Sequence, residues 1–142
     1  MAFIKIWVHF VWTTKMRKPL LTKNVKKELI AHIKENALKK DIYIDSIDGG
    51  KEHLHALVSL GAKQSVSNVA QLLKGEASFW INKEKLVKGK FEWQDKYFAI
   101  SVSESILSKV RKYIRNQEEH HKVKSFSEEY DFFMEKYGFI EQ

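Results

Sequence analysis

The amino-acid sequence predicts an α+β protein built on an antiparallel sheet with helices packed against one face. Two observations support this prediction. Short segments of alternating apolar residues, which are typical of strands, are separated by two longer segments in which apolar residues recur every three or four positions, as in helices. The segments follow the order strand, helix, strand, strand, helix, strand, and further helices come after them.

The chain opens with the first strand and the first helix. Residues 3–12 alternate as in a half-buried strand, with apolar side chains on one side at Ile4, Ile6, Val8, Phe10 and Trp12. A basic turn follows at residues 16–19. Thr22 is suited to cap the first helix, because its hydroxyl can accept from a free backbone N–H of the first turn. The apolar stripe of this helix is predicted at Val25, Leu29, Ile33 and Ala37, widened by Ile30 and Leu38.

The middle of the chain predicts a hairpin and a second helix. Residues 42–47 and 53–60 have strand-like patterns, and the turn signal Asp48-Gly49-Gly50 lies between them. The second helix is expected to begin near Ser65. Its buried side is predicted at Val66, Val69, Leu72, Leu73, Phe79 and Trp80.

The last third of the chain predicts one more strand and two helices. A loop over residues 88–96, rich in lysine and aromatic residues, leads to a fourth strand at 97–102. Ser103 is expected to cap a third helix, and the residues from Ser125 to Glu128 form a capping-box pattern that opens a short last helix, which Gly138 can end. The third helix is predicted to carry Ile106, Val110, Tyr113, Ile114 and Gln117.

The complete order βαββαβ matches a ferredoxin-like, RRM-like sheet with two helices on one face. The other face is left free, and the additional C-terminal helices can cover part of it. Because the chain has no internal repeat or linker, we expect residues 1–142 to form a single domain.

Composition narrows the class of protein. There are no cysteines, which excludes disulfides and thiolate metal sites. No apolar run approaches the roughly 20 residues that a membrane-spanning helix needs, and the start of the chain lacks the pattern of a signal peptide. A cytoplasmic protein is therefore expected. The formal net charge of +7 favours polyanionic partners such as nucleic acid.

Two histidines in the third strand suggest the start of a metal site. His53 and His55 are two positions apart, so their side chains point the same way. The apolar residues between and after them, Leu54, Ala56 and Val58, are expected to pack under the helices, which puts the imidazoles on the open face. Two imidazoles need a third protein ligand to bind a metal tightly. The alternative is an ordinary pair of surface histidines.

Two polar residues of the third helix point at the same face of the sheet. Tyr113 and Gln117 are four positions apart and therefore stacked on one helical face, within the apolar stripe. A buried glutamine needs a partner, and a metal ion would satisfy its carbonyl oxygen. The alternatives are a core tyrosine with its hydroxyl at the edge and a solvated glutamine. His120 and His121 are interpreted as surface residues.

Four segments in the same order resemble the single-tyrosine HUH transposases of small bacterial insertion sequences and their domesticated, repeat-associated relatives. HUH denotes two histidines around a bulky apolar residue, here His53-Leu54-His55. The opening, from Val11 to Lys15 and then Arg17-Lys18-Pro19, is also similar to the start of that family, so the resemblance spans nearly the whole chain. Besides the HUH triplet and this opening, three segments carry the resemblance. They are Leu72-Leu73-Lys74-Gly75, Trp93-Gln94 with the strand Tyr97 to Val102, and Tyr113-Ile114-Arg115-Asn116-Gln117.

The resemblance implies a function and a set of site residues. His53, His55 and Gln117 would bind a divalent metal, Mg²⁺ or Mn²⁺, and Tyr113 would be the nucleophile that forms a 5′-phosphotyrosine with single-stranded DNA. It further implies recognition of DNA hairpins at the element ends and a homodimer, in which Tyr113 acts either on the histidines of its own subunit or on those of the other. Where relatives often have glycine after the fourth strand, this chain has Ser103.

The resemblance also suggests residues that contact DNA. Four basic side chains are expected to contact phosphates, and Trp93 is expected to stack on bases. The basic residues are Lys15, Arg17, Lys18 and Lys74.

Two alternative functions remain open on the sequence. One is a domesticated HUH endonuclease that acts on chromosomal repeat hairpins. The other is a noncatalytic RRM-like protein that stacks single-stranded nucleic acid on aromatic residues of its sheet. The second alternative fits the fold and the charge but leaves the spacing of Tyr113 and Gln117 unexplained.

Overall fold

The structure, a computed structural model, describes residues 1–117 and 125–138. Two short 3-10 turns, Lys15–Arg17 and Glu104–Ile106, follow the first and the last strand. The strands are β1 (Trp7–Thr14), β2 (Tyr43–Gly49), β3 (His53–Ser59) and β4 (Trp93–Val102). The helices are α1 (Lys23–Lys39), α2 (Val66–Glu84), α3 (Leu107–Arg115) and α4 (Phe126–Tyr137). None of the helices in these described ranges is both long and apolar enough to cross a membrane.

The four strands form one sheet in the order β2-β3-β1-β4, and every neighbouring pair is antiparallel. The predicted ferredoxin-like α+β fold is therefore confirmed. β1 is central, since it pairs with β3 on one side and with β4 on the other.

Alternation along the strands divides the sheet into two faces. The first face carries Val8, Phe10 and Trp12 of β1 and packs against α1 and α2 in the main core. The opposite face carries Trp7, His9 and Val11, and it is covered by α3 and α4. We call this opposite face the histidine face, because His53 and His55 of β3 also lie on it.

Helix caps follow the sequence closely. The side chains of Thr22, Ser65 and Ser125 each accept a hydrogen bond from a backbone N–H of the first helical turn. Gly138 follows α4 with a φ of 54°, which a glycine adopts without strain. Ser103 differs from expectation: it makes no capping hydrogen bond, and a 3-10 turn precedes α3.

Two strand boundaries differ from the prediction by four residues, and the others by no more than two. β1 begins at Trp7 rather than at residue 3, and Ile4 and Ile6 are exposed. The reason is that Trp7 pairs with Ser59 and with Val102, the last residues of the neighbouring strands. Before Trp7 the ladder continues only as a backbone hydrogen bond from Leu60 to the carbonyl oxygen of Ile6. β4 begins at residue 93, inside the segment predicted as a loop.

The buried stripes of the helices are narrower than predicted. In α2, the buried residues Val69, Leu73, Ala77 and Ile81 follow a spacing of four, which leaves flanking positions on the outside. Across the helices and the 3-10 turn before α3, four large apolar residues that were predicted to be buried are exposed, so that part of the prediction is wrong. They are Leu38, Leu72, Phe79 and Ile106.

Candidate metal and nucleophile site

The two histidines of β3 are buried beneath α3 and α4. His53 and His55 are both 0% exposed, and their ring centroids lie 5.0 Å apart. Leu54, between them, points into the main core. The alternative of a surface pair is therefore wrong, because the C-terminal helices close over these imidazoles.

One nitrogen of each imidazole is held by a neighbouring side chain. Nδ1 of His53 lies 2.7 Å from Oε1 of Glu52, and Nδ1 of His55 lies 2.9 Å from Nε2 of His9. Burial lowers the pKa of His9 to about 4, so this ring is neutral at pH 7 and can accept a hydrogen bond. When Nδ1 of each ring donates to its neighbour, both Nε2 atoms retain a lone pair for a metal.

The turn between β2 and β3 packs closely against His53. A Cβ atom added at Gly50 would lie 2.7 Å from Cε1 of His53, inside van der Waals contact. At Gly49 an added Cβ would collide with the carbonyl oxygen of His53. The two glycines therefore do more than form a turn, since their lack of side chains lets the backbone pack against His53.

Gln117 follows α3, which ends at Arg115, rather than lying within that helix as predicted, and its amide points at His53. Gln117 is 0% exposed, and its Oε1 lies 3.1 Å from Nε2 of His53. Its amide nitrogen donates to the carbonyl oxygen of Tyr113 at 3.1 Å. Because the NH₂ group donates to the last turn of α3, the carbonyl oxygen is the atom that faces the histidines.

Tyr113 lies beside the same histidines. Its ring is perpendicular to that of His55 with centroids 5.5 Å apart, and it also meets the His9 ring edge-on at 6.3 Å. Tyr113 packs against a small apolar cluster containing Val11 and Phe126. A single chain thus brings together the phenol, the amide and both imidazoles.

Three contacts dock α3 onto the sheet. Nε of Arg111 donates to both carboxylate oxygens of Asp45, at 2.9 and 3.0 Å. Asp45 lies where the register of β2 shifts against β3, between Ile44 and Ser46. Burial would raise the pKa of Asp45, but hydrogen bonds from Arg111 and Ser46 and the Arg111 charge outweigh it and lower the pKa. Trp7 adds a hydrogen bond to Glu104, and Leu107 and Ile114 fill an apolar cluster.

α4 adds a residue that the sequence analysis missed. Glu129 is 1% exposed, and its Oε1 lies 3.3 Å from Nε2 of His55. Phe126 of the same helix stacks on His53 with centroids 4.2 Å apart. Burial, followed by the negative charge of Glu52, raises the pKa of Glu129 to about 8. The capping box located the start of α4, but no local signal indicated that this helix contacts β3.

The donor set fits a divalent metal. His53, His55 and Glu129 offer ligand atoms that all lie within 4.8 Å of one another, and Oε1 of Gln117 adjoins His53. Two neutral imidazoles with carbonyl and carboxylate oxygens suit Mn²⁺ well, and the oxygens suit Mg²⁺. His120 and His121 lie outside the described residues.

Three of the basic residues predicted to contact DNA belong to the turn after β1. Lys15 and Lys18 are exposed, and Lys15 forms an ion pair with Glu92 at 3.3 Å. The guanidinium of Arg17 lies 4.5 Å from the centroid of the Tyr130 ring in α4. Since the neighbouring Thr13 pairs with His53 across β1 and β3, this basic turn borders the site.

Lys74 and Trp93 have structural contacts instead. Nζ of Lys74 donates to the carbonyl oxygens of Gln94 at 2.7 Å and Asp95 at 3.0 Å, and burial lowers its pKa despite the nearby Asp95 charge. Trp93 is 8% exposed and donates to the carbonyl oxygen of Lys74. The expectation that Trp93 stacks on bases is corrected, because its ring lies in the main core beside Trp12.

Comparisons of the sequence and the fold with known proteins identify the family. Residues 2–117 match the family described as "Transposase IS200 like". The ISDra2 transposase TnpA of Deinococcus radiodurans is 26% identical over 115 residues, which cover 77% of this chain and 81% of that protein.

Two solved structures share the fold. A crystal structure of a proposed transposase from Deinococcus radiodurans R1 has a TM-score of 0.66 and 21% identity, with 82% of this chain and 93% of that one covered. A REP-associated tyrosine transposase bound to a REP hairpin has a TM-score of 0.63 and 17% identity, with 85% and 72% covered. Because the family match spans most of the chain and the fold agrees, the protein belongs to the IS200-like transposase family.

Proposed function

We propose that this protein is a metal-dependent transposase that cleaves and rejoins single-stranded DNA through Tyr113. The observation that carries the proposal is the meeting of two elements on the histidine face. Tyr113 of α3 lies with its ring centroid 5.5 Å from that of His55, which forms a buried cluster of metal-ligating side chains with His53 and Glu129. An ordinary core tyrosine does not require such neighbours.

His53, His55 and Gln117 are the proposed ligands for Mg²⁺ or Mn²⁺. An ion held by these three side chains would supply Lewis-acid chemistry, because it would withdraw charge from a nonbridging phosphate oxygen and help to orient the phosphate. Glu52 and His9 would fix the tautomers of the two imidazoles, and the hydrogen bond from Gln117 to the Tyr113 carbonyl oxygen holds its amide.

Tyr113 carries the covalent step. Its phenolic oxygen forms a bond to phosphorus while the bond from phosphorus to the 3′-oxygen of the preceding nucleotide breaks. The phenol gives up one proton, and the released 3′-hydroxyl takes one up, so the step needs no cofactor as proton source. The product is a 5′-phosphotyrosine. Attack by a 3′-hydroxyl reverses the step and rejoins DNA without ATP.

The proposed substrate is single-stranded DNA with hairpins at the element ends. The solved relative bound to a REP hairpin supports a hairpin partner. The exposed basic turn supports contacts to the DNA phosphates from Lys15, Arg17 and Lys18. Lys74 is a weaker candidate because two carbonyl oxygens already accept from its ammonium group.

We also propose a homodimer, as in the family the sequence resembles. Because Tyr113 and both histidines meet within one chain, each subunit would hold a complete site of its own. Cross-linking at micromolar concentration tests the dimer, and a monomer under those conditions would contradict it.

Of the two alternative functions, the structure argues against the noncatalytic binder but does not separate a domesticated endonuclease from a transposase. A noncatalytic RRM-like binder needs exposed aromatic residues on the sheet, but in the described part of the chain α3 and α4 cover that face. A domesticated endonuclease would use the same site as a transposase. The DNA that flanks the gene distinguishes these two, because a mobile element has hairpins at both of its ends.

A covalent-adduct assay tests the proposal. The protein is incubated with a single-stranded hairpin oligonucleotide and Mn²⁺, and the products are separated by denaturing electrophoresis. We expect a protein–DNA band from the wild type and its loss in Tyr113→Phe, a decrease of at least about a thousandfold in adduct formation. The matched control Tyr43→Phe, at an exposed position of β2, should retain the band. An adduct that persists in Tyr113→Phe contradicts the assignment of the nucleophile.

A further inference from the structure

We propose that Glu129 of α4 is an additional ligand of the metal held by His53, His55 and Gln117. This inference rests on the proposed function and extends it. It makes α4 part of the metal site, so that the C-terminal helix and the ion stabilise each other.

The position of Glu129 is the first observation. The carboxylate is 1% exposed, and its Oε1 lies 3.3 Å from Nε2 of His55, the nitrogen that is not held by His9. Ligand atoms of Glu129, His53 and His55 lie within 4.8 Å of one another. One divalent ion can therefore be reached by all three side chains with small adjustments.

The docking of α4 is the second observation. Phe126 stacks on His53 at 4.2 Å, and Tyr130 meets Phe98 of β4 edge-on at 5.4 Å. Phe126, Glu129 and Tyr130 have the spacing i, i+3, i+4, which places them on one face of the helix. The Ser125 cap fixes where that face begins. The carboxylate is thus held over the imidazoles by the apolar contacts on either side.

The charge balance is the third argument. His53, His55 and Gln117 are neutral when they act as ligands, so they would leave the two positive charges of a buried ion uncompensated. A carboxylate removes one of those charges and supplies a hard oxygen, which Mg²⁺ and Mn²⁺ prefer. Affinity for such ions rises with the number of charged ligands.

A thermodynamic consequence follows from a ligand on α4. An ion that binds Glu129 binds the docked helix more tightly than the undocked one, so metal stabilises docking and docking raises metal affinity by the same factor. Metal should therefore protect the backbone amides of α4 against hydrogen exchange.

Calorimetric titration with Mn²⁺ measures the contribution of Glu129. We expect Glu129→Gln, which keeps the size of the side chain, to weaken Mn²⁺ binding at least about tenfold. The matched control Glu135→Gln, at an exposed position of the same helix, should stay within about twofold of the wild type. Unchanged or tighter binding by Glu129→Gln overturns the proposal, since it would make Glu129 a covering residue only.

Hydrogen exchange of the wild type gives a test that needs no variant. On addition of Mn²⁺, peptides from residues 126–137 should exchange more slowly, whereas those from α2 should not change. An α4 whose exchange is indifferent to Mn²⁺ also overturns the proposal.

The two proposals fail in different ways. If Glu129→Gln binds Mn²⁺ like the wild type while the wild type still forms the Tyr113 adduct, only the Glu129 assignment is lost. If Tyr113→Phe still forms the adduct, the proposed nucleophile is lost while the Mn²⁺ titration of Glu129→Gln stands. A wild-type protein that binds no Mn²⁺ contradicts both.

Discussion

The two faces of one sheet are built from the same strands but have different chemistry. On the face covered by α1 and α2, β3 contributes Leu54, Ala56 and Val58 to an apolar core. On the histidine face β3 contributes His53, His55 and Leu57, and the C-terminal part of the chain adds further polar side chains. They are Tyr113, Gln117 and Glu129.

The difference shows how one strand can contribute alternate residues to the stability of the core and to the chemistry of the site. Because successive side chains of a strand point to opposite faces, a substitution at one position can affect folding while its neighbour affects the site. The histidine face has less apolar surface to bury, and the ion pair of Asp45 with Arg111 helps to dock α3 there. Three predictions test this comparison.

The largest expected effect concerns Leu54, which lies between the two histidines but points to the other face. Leu54→Ala should lower the free energy of unfolding by about 2–5 kcal/mol, because the side chain is fully buried and leaves a cavity. Chemical denaturation measures this loss. At temperatures where the variant is folded, adduct formation should persist. A folded variant that has lost Mn²⁺ binding would break the separation between the two faces.

A smaller effect is expected at His9, whose Nε2 lies 2.9 Å from Nδ1 of His55. His9→Leu should weaken Mn²⁺ binding by about tenfold to a hundredfold, since the orientation and tautomer of His55 are no longer fixed. Titration calorimetry gives the affinity. His32→Leu is the control, because His32 stacks on Trp80 between α1 and α2, away from the site. Equal losses in both variants would mean that His9 acts only through stability.

The smallest effect concerns the docking of α3 and depends on pH. Asp45 has a lowered pKa in the folded protein, so its contribution to stability is present above its unfolded pKa and is lost as pH falls through the folded one. Asp45→Asn should therefore lower the melting temperature at pH 7, by less than Leu54→Ala does. The difference from the wild type should shrink as the pH falls below about 4. A difference that stays constant down to pH 2 would contradict this interpretation.

Local patterns were sufficient for the fold and for part of the site. Alternation in β3 predicted that the histidines face away from the main core. The spacing of four predicted that Tyr113 and Gln117 point the same way, and both lie beside the histidines although α3 ends before Gln117. The predicted side-chain caps at Thr22 and Ser125 are confirmed, and so is the start of the second helix near Ser65. Each of these features depends on residues close together in sequence.

The missed residues depend on contacts between distant parts of the chain. Glu129 meets His55 only after α4 folds back over the sheet, and His9 meets His55 only through the pairing of β1 with β3. The prediction that Trp93 stacks on DNA bases is wrong for a similar reason. Its basic, aromatic segment gives no local indication that the ring packs in the main core. Gly50 was identified as a turn residue, but its role beneath the His53 ring is visible only in three dimensions.

The position of the label in the covalent adduct tests the central claim most directly. A hairpin oligonucleotide labelled at its 3′ end is incubated with the wild type and Mn²⁺, and the adduct is digested for mass spectrometry. The account predicts that the 3′-labelled fragment is attached through its 5′-phosphate to the peptide containing Tyr113, and that the other fragment is released with a free 3′-hydroxyl. Attachment to any other residue, or of the 5′ fragment instead, would contradict it.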